Sequence, residues 1–209
     1  MQPTSVVHVI DDDEAVRDSL TFLLNTARLA VRAYDSATTF LSALPNAEPG
    51  CIITDVRMPE MSGVDLLRRL KELNVPMPVI VITGHGDIQL AVEAMKIGAI
   101  DFIEKPFDDE RLLTSVKSAL ERWEKNTQQE STRAKLLDKL RTLSAREREV
   151  LEGLVAGKPN KVIAFDLGIS PRTVEIYRAN VMSKMTAGSL SELVRMALLA
   201  GLLKAGPDA

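Results

Sequence analysis

The sequence is poor in the residues that make covalent and metal staples. Cys51 is its only cysteine, so no intrachain disulfide can form and a reducing, cytoplasmic setting is expected. Cys51 lies within an apolar run, where an inert buried thiol is expected rather than a redox sensor. His8 and His85 are the only histidines, too few for a histidine-based zinc site. No run approaches the ~20 consecutive apolar residues of a membrane span, so no membrane partner is expected. The N-terminal "MQPTSVVHVIDDD" has neither a basic region nor a long apolar core, which argues against a signal peptide. Proline and glycine are missing from "EKNTQQESTRAKLLDKL", residues 124–140. A flexible coil and a solvated helix both suit that stretch, and a partly helical linker over 125–140 is expected, between one domain at 1–124 and another at 141–209.

What is there is ordinary in amount and uneven in place. Apolar residues make up 45% and charged residues 26%, as in a globular protein. Residues 1–124 hold twelve basic and twenty acidic side chains, a net of −8, whereas 125–209 hold fourteen and nine, a net of +5. An acidic front half and a basic back half suit two domains, the second facing a polyanion.

In the front half, short apolar runs alternate with amphipathic helices. "VVHVID" (6–11), "AVRAYD" (30–35), "CIITD" (51–55), "PVIVIT" (78–83) and "DFIEKP" (101–106) read as strands. Helices are expected over 14–27, 36–44, 62–73, 87–99 and from about Asp109 past Trp123. Five such repeats predict an α/β fold: a doubly wound parallel sheet, (βα)5, with helices on both faces. Ligands of such sheets sit outside the carboxyl ends of the strands. Asp11 and Asp12 follow the first strand there, Asp55 the third, Thr83 the fourth and Lys105 the fifth. Carboxylates from two strands on one edge need a cation, and oxygen ligands of this kind suit Mg²⁺. Lys105 adds a fixed positive charge and Thr83 a hydroxyl, so the edge reads as a site for a phosphoryl group. Asp13, followed by Glu14, reads instead as a helix starter. "GHGD" (84–87) is not a dinucleotide fingerprint, because Gln89 stands where that motif has its third glycine; a flexible turn is expected.

These residues resemble the receiver domain of bacterial two-component response regulators. The resemblance covers about residues 5–124 and rests on "DDD" (11–13), "DVRMPEMSG" (55–63), "ITGHGD" (82–87) and "DFIEKPF" (101–107), in that order and spacing. It implies that Asp55 accepts phosphate from a sensor histidine kinase. It implies Mg²⁺ ligation by Asp12, Asp55 and the Arg57 backbone carbonyl, with Asp11 assisting. Thr83 and Lys105 would bind phosphate oxygens, and Lys105–Pro106 would be a cis peptide. Phe102 would be the aromatic that swings inward with Thr83, although a plain core aromatic fits the sequence as well.

The back half predicts four helices. "LSAREREVLEGLVAG" (143–157) opens with Ser144 and Glu147 spaced as a capping box and closes near Gly157. "NKVIAFDLG" (160–168) is short and ends at Gly168, "ISPRTVEIYRANVMSKM" (169–185) starts with Ser170 as N-cap and Pro171, and "SLSELVRMALLAGLL" (189–203) is very apolar. A short helix, a glycine turn and a longer capped helix form a helix-turn-helix pattern. Val174, Val181 and Met185 share one face of the longer helix, which leaves Ile176 outward, where it can meet a thymine methyl. An ordinary helical hairpin with a basic face fits the pattern too.

Residues 142–203 resemble the four-helix DNA-binding domain of the LuxR class. With the receiver, the chain resembles the NarL/FixJ subgroup, and "LGISPRTVEIYRANVMSKM" points within it to the rhizobial regulators of nitrogen fixation. By this resemblance Glu175, Ile176 and Ala179 face bases, and Arg178 is a long side chain reaching DNA. Lys161, Arg172, Thr173 and Lys184 are phosphate contacts, which position without specifying sequence. The last helix would pair two protomers, or bury within its own domain. The implied function is a transcription activator, not an enzyme beyond slow self-dephosphorylation. It would dimerise on phosphorylation, bind promoter double-stranded DNA and work with RNA polymerase. The narrower resemblance implies a haem-containing oxygen sensor as kinase and low oxygen as signal. Two rival classes are a phosphotransfer enzyme, which would turn over phosphate esters, and a ligand-sensing LuxR relative, which would need a small-molecule pocket. A phosphate-independent DNA binder would dimerise constitutively.

Overall fold

Why a half-acidic chain should bury five strands is answered by the computed structural model, which describes residues 5–84 and 88–202. Contacts divide the chain into a unit over 1–126 and a unit over 127–209. In the first, β1 (Val6–Ile10), β2 (Ala30–Tyr34), β3 (Gly50–Asp55), β4 (Val79–Thr83) and β5 (Asp101–Glu104) form one sheet in the order β2-β1-β3-β4-β5. Every pairing is parallel. The helices are α1 (Glu14–Thr26), α2 (Ala37–Ala43), α3 (Gly63–Glu72), α4 (Ile88–Ile97) and α5 (Asp109–Arg141), with a 3-10 turn at Leu44–Asn46. Asp87, the expected first residue of α4, and the expected turn at His85 and Gly86 lie outside the described residues.

The continuous apolar runs have a simple cause: successive side chains point to opposite faces, and both faces are covered. Val7, Val9, Cys51, Ile53, Ile80 and Ile82 pack with Leu20 and Leu24 of α1 and Leu112 and Val116 of α5. Ile10, Ile52, Val79 and Val81 pack with Phe40 of α2, Leu66 and Leu70 of α3 and Ala94 of α4. Cys51 is fully buried, and burial pushes its thiol pKa up to about 12. Each helix start has a local reason. Asp13 accepts the Ala15 N–H, Ser36 that of Thr39 and Ser62 that of Asp65.

The second unit is helical: α6 (Ala145–Val155), α7 (Asn160–Leu167), α8 (Pro171–Met185) and α9 (Leu190–Ala200). The Ser144–Glu147 capping box forms, and Gly168 ends α7 in the left-handed region at φ 64°. Their core is Val150, Leu151, Leu154, Ile163, Val174, Val181, Met185 and Leu193, and Leu136 and Leu140 of α5 belong to it. The stretch 125–140 is helical throughout, inside α5. Its polar sequence carries no helix breaker, and its last turns have two leucines to bury. Leu203, the expected end of the last helix, lies outside the described residues.

Candidate functional site

The parallel register delivers the carboxyl ends of β1, β3, β4 and β5 to one edge. Asp11 follows β1, and Asp55 ends the central strand β3. The ammonium of Lys105, just past β5, lies 3.0 Å from Asp11 Oδ2 and 2.7 Å from Asp55 Oδ1. Both acidic side chains are nearly buried, at 4% and 11% exposure, so their charges are not left to water. Backbone donors hold the other oxygens: Asp13 N–H donates to Asp11 Oδ1 at 3.0 Å and Arg57 N–H to Asp55 Oδ2 at 2.6 Å. Burial raises the Asp11 pKa above the usual aspartate value, against the opposing pull of the Asp13 amide and Lys105. Burial opposes the charge on Lys105, yet its hydrogen bonds to Asp55 and Asp11 outweigh that and hold its pKa above the lysine norm.

Asp12 is exposed at the rim. Thr83 is buried, its hydroxyl donating to the Gly84 carbonyl at 3.3 Å. Phe102 is partly buried against the core under α2, α3 and α4. Pro106 is exposed and the Lys105–Pro106 bond is cis. Among the described residues no three Asp, Glu, His or Cys side chains gather to hold a metal ion. The two carboxylates, both hard oxygen donors, still match what Mg²⁺ takes from a protein when it keeps several waters. One residue that the strand pattern does not reveal is Arg17. Its guanidinium donates to the Asp11 carbonyl at 2.8 Å and ties α1 to the turn that carries Asp11 and Asp12. Only its place one turn into α1 signals this.

In the second unit, α8 turns Val174, Val181 and Met185 inward. At about 100° per residue, Arg172, Ile176 and Ala179 fall on the opposite side. All three are exposed, as are Glu175 and Lys161. Ile176 is 57% exposed. Two of the expected DNA contacts also have neighbours within the unit. Arg178 lies only about 40° around the helix from Val174 and is partly buried, so it flanks the inward stripe. Lys184 is 40% exposed, and its ammonium lies 2.7 Å from Glu147 Oε2 and 3.3 Å from the Thr142 carbonyl. Thr173 donates its N–H to the capping Ser170 Oγ at 3.1 Å, and its hydroxyl lies 2.8 Å from the same oxygen. Asn180, exposed one turn beyond Ile176, is an addition that i, i+4 spacing could have found.

Comparison with known proteins agrees with this geometry. Residues 7–117 match the response regulator receiver domain, and residues 141–197 the luxR family of bacterial regulatory proteins. The chain belongs to the two-component response regulators that join a receiver domain to a LuxR-type DNA-binding domain. Within them it is similar to the transcriptional regulatory protein FixJ of Azorhizobium caulinodans, 58% identical across 95% of this chain and 94% of that one. FixJ of Bradyrhizobium diazoefficiens is 53% identical across 94% and 96%. The crystal structure of full-length FixJ from B. japonicum aligns with a TM-score of 0.62 at 51% identity, covering 97% of this chain and all of that one. This is a family of transcription regulators, not of enzymes. Among the described residues no helix is long and apolar enough to cross a membrane.

Proposed function

We propose that Asp55 accepts a phosphoryl group from a phosphohistidine of a sensor histidine kinase, and that the modified protein dimerises and activates transcription at promoter DNA. One observation carries the reading: Asp55 ends the central strand with its carboxylate 2.7 Å from Lys105, which also pairs with Asp11. An Asp55 oxygen attacks phosphorus, the P–N bond breaks, and the imidazole leaves with the electron pair. Asp11, Asp12, Asp55 and the Arg57 carbonyl would hold Mg²⁺, which when bound offsets charge on the phosphoryl oxygens. Lys105 sets its positive charge beside the nucleophile, and Thr83 offers a hydroxyl to a phosphate oxygen. Phe102 follows Thr83 inward. The change reshapes the surface of α4, β5 and the first turns of α5, where two copies meet. Asp55 as nucleophile makes a phosphoacceptor rather than a turnover enzyme, with at most slow self-dephosphorylation.

On DNA, Ile176, Ala179, Glu175 and Asn180 face base edges, while Lys161 and Arg172 meet phosphates. RNA polymerase is the partner of the bound dimer, in the cytoplasm. The likeness to FixJ supports nitrogen-fixation or microaerobic genes as targets and a haem-based oxygen sensor as the kinase. The test is solution mass by light scattering with Mg²⁺, before and after acetyl phosphate. A shift from monomer to dimer is expected for the wild type and none for Asp55→Asn; an equal shift in both would remove Asp55 from the role.

A further inference from the structure

Apolar packing decides which face of α8 turns inward, but it is non-directional and tolerates sliding and small rotations. At the far end of α8 the structure supplies directional bonds. Lys184 Nζ meets Glu147 Oε2 at 2.7 Å, and the same oxygen accepts the Ser144 N–H at 2.7 Å. The Glu147 side chain is only 5% exposed. Lys184 also donates to the Thr142 carbonyl, Lys139 donates to the Met185 carbonyl at 3.2 Å, and Arg148 donates to the Leu140 carbonyl at 3.0 Å. The end of α5, the start of α6 and the end of α8 are thereby tied by charge-assisted hydrogen bonds. Lys184 sits about 80° around α8 from Val174 and about 80° from Ile176, on the flank of the helix, from which its ammonium reaches Glu147.

We infer that Glu147 and Lys184 are positioning residues for DNA recognition: their ion pair sets the placement of α8, and Lys184 acts on DNA through that placement rather than by touching a phosphate. The inference rests on the reading of α8 as the recognition helix. The pair is half-buried, with Glu147 at 5% and Lys184 at 40% exposure, and its directional bonds lie where the arrangement matters.

The signs of the expected effects separate this from simple electrostatics. Losing the Glu147 charge should tighten binding to a polyanion if charge alone matters; loss of placement weakens specific binding instead. A Lys184 that touches phosphate would, when neutralised, weaken all sequences alike and lower the salt slope by about 1. A positioning Lys184 leaves the slope unchanged and lowers the ratio of specific to non-specific affinity.

The experiment uses the full chain treated with acetyl phosphate and Mg²⁺. Its probes are a duplex that the wild type selects from a random pool and a scrambled duplex of equal length, titrated at several salt concentrations. Glu147→Gln keeps an amide that can still accept from Ser144, so the helix cap survives. Circular dichroism confirms folding, and partial unfolding would lower both affinities equally and leave their ratio alone. The expected result is that Glu147→Gln and Lys184→Gln each cut the ratio about tenfold, that the double variant is no worse, and that the salt slope holds. Arg172→Gln, the comparator, lowers the slope. An unchanged ratio, or uniform loss with a lowered slope for Lys184→Gln, overturns the inference. Failure of the wild type to select any duplex overturns the DNA reading itself, and the inference with it.

Discussion

Lys105 shows how one side chain makes a buried acidic edge tolerable. Two nearly buried carboxylates from different strands would repel, and a single ammonium between them converts repulsion into two charge-assisted bonds. His8 shows the opposite solution to burial, neutrality. It is fully buried in β1, with Nε2 2.8 Å from the Glu48 carbonyl and Nδ1 3.3 Å from the Tyr34 hydroxyl. A carbonyl only accepts, so Nε2 carries the proton and Nδ1 accepts from Tyr34. Burial lowers the His8 pKa below its ordinary 6.5, only partly offset by the Glu48 carbonyl. The unfolded chain therefore binds the proton more readily, and stability present above pH 6.5 is lost as pH falls through that value. Urea unfolding at several pH values from about 7.5 to 5.5 should show this decline, and His8→Gln should flatten it. An equal slope in the variant would place the acid sensitivity elsewhere.

At the scale of elements, the site depends on close approach between a strand end and a helix start. Gly63 opens α3, and a Cβ there would lie 2.1 Å from the carbonyl oxygen of Asp55. Backbone cannot yield as a side-chain tip can, so Gly63→Ala is expected to destabilise by about 1–3 kcal/mol and to displace Asp55. Denaturant midpoints and acetyl phosphate incorporation would check the two effects, and normal values for both would mean that α3 can lift away freely. The five strands were legible as β-branched runs without polar alternation, and α6 and α8 by their starts at Ser144 and Ser170. The edge was legible as residue types, since a parallel sheet must bring Asp11, Asp55, Thr83 and Lys105 to the same side. Rotamers and partners were not. Nothing in a strand pattern says that Lys105 bridges both aspartates, or that Arg17 reaches back to the Asp11 carbonyl. Periodicity names Lys184 as a basic residue of α8 but not its partner Glu147, thirty-seven positions earlier in another helix. Nor does periodicity say how Arg178 lies: beside the apolar stripe a long side chain buries its stem, and the residue is partly buried.

For the whole molecule, an acidic receiver unit is joined to a basic LuxR-type unit, and under the proposed phosphorylation of Asp55 a small chemical event would change DNA affinity. Phosphorylation of Asp55 would replace a carboxylate of −1 by an acyl phosphate of roughly −1.5 to −2, a net gain of about one negative charge or less. No contact between that charge and DNA is needed if its effect is to pair two chains. A pair presents two copies of α8, and once one has bound, the second searches at an effective concentration set by the connection rather than by bulk protein. Such linkage raises apparent affinity by about 10²–10⁴ without a new contact, provided that both sites can be engaged together. The comparison that isolates this term uses two duplexes, one with two half-sites about 10 base pairs apart and one with a single half-site. Acetyl phosphate treatment should tighten binding to the first strongly and to the second hardly at all, and Asp55→Asn should abolish the difference. If the single half-site gains as much as the pair, phosphorylation acts by making each helical unit competent on its own, and pairing is then a bystander to the switch rather than its means.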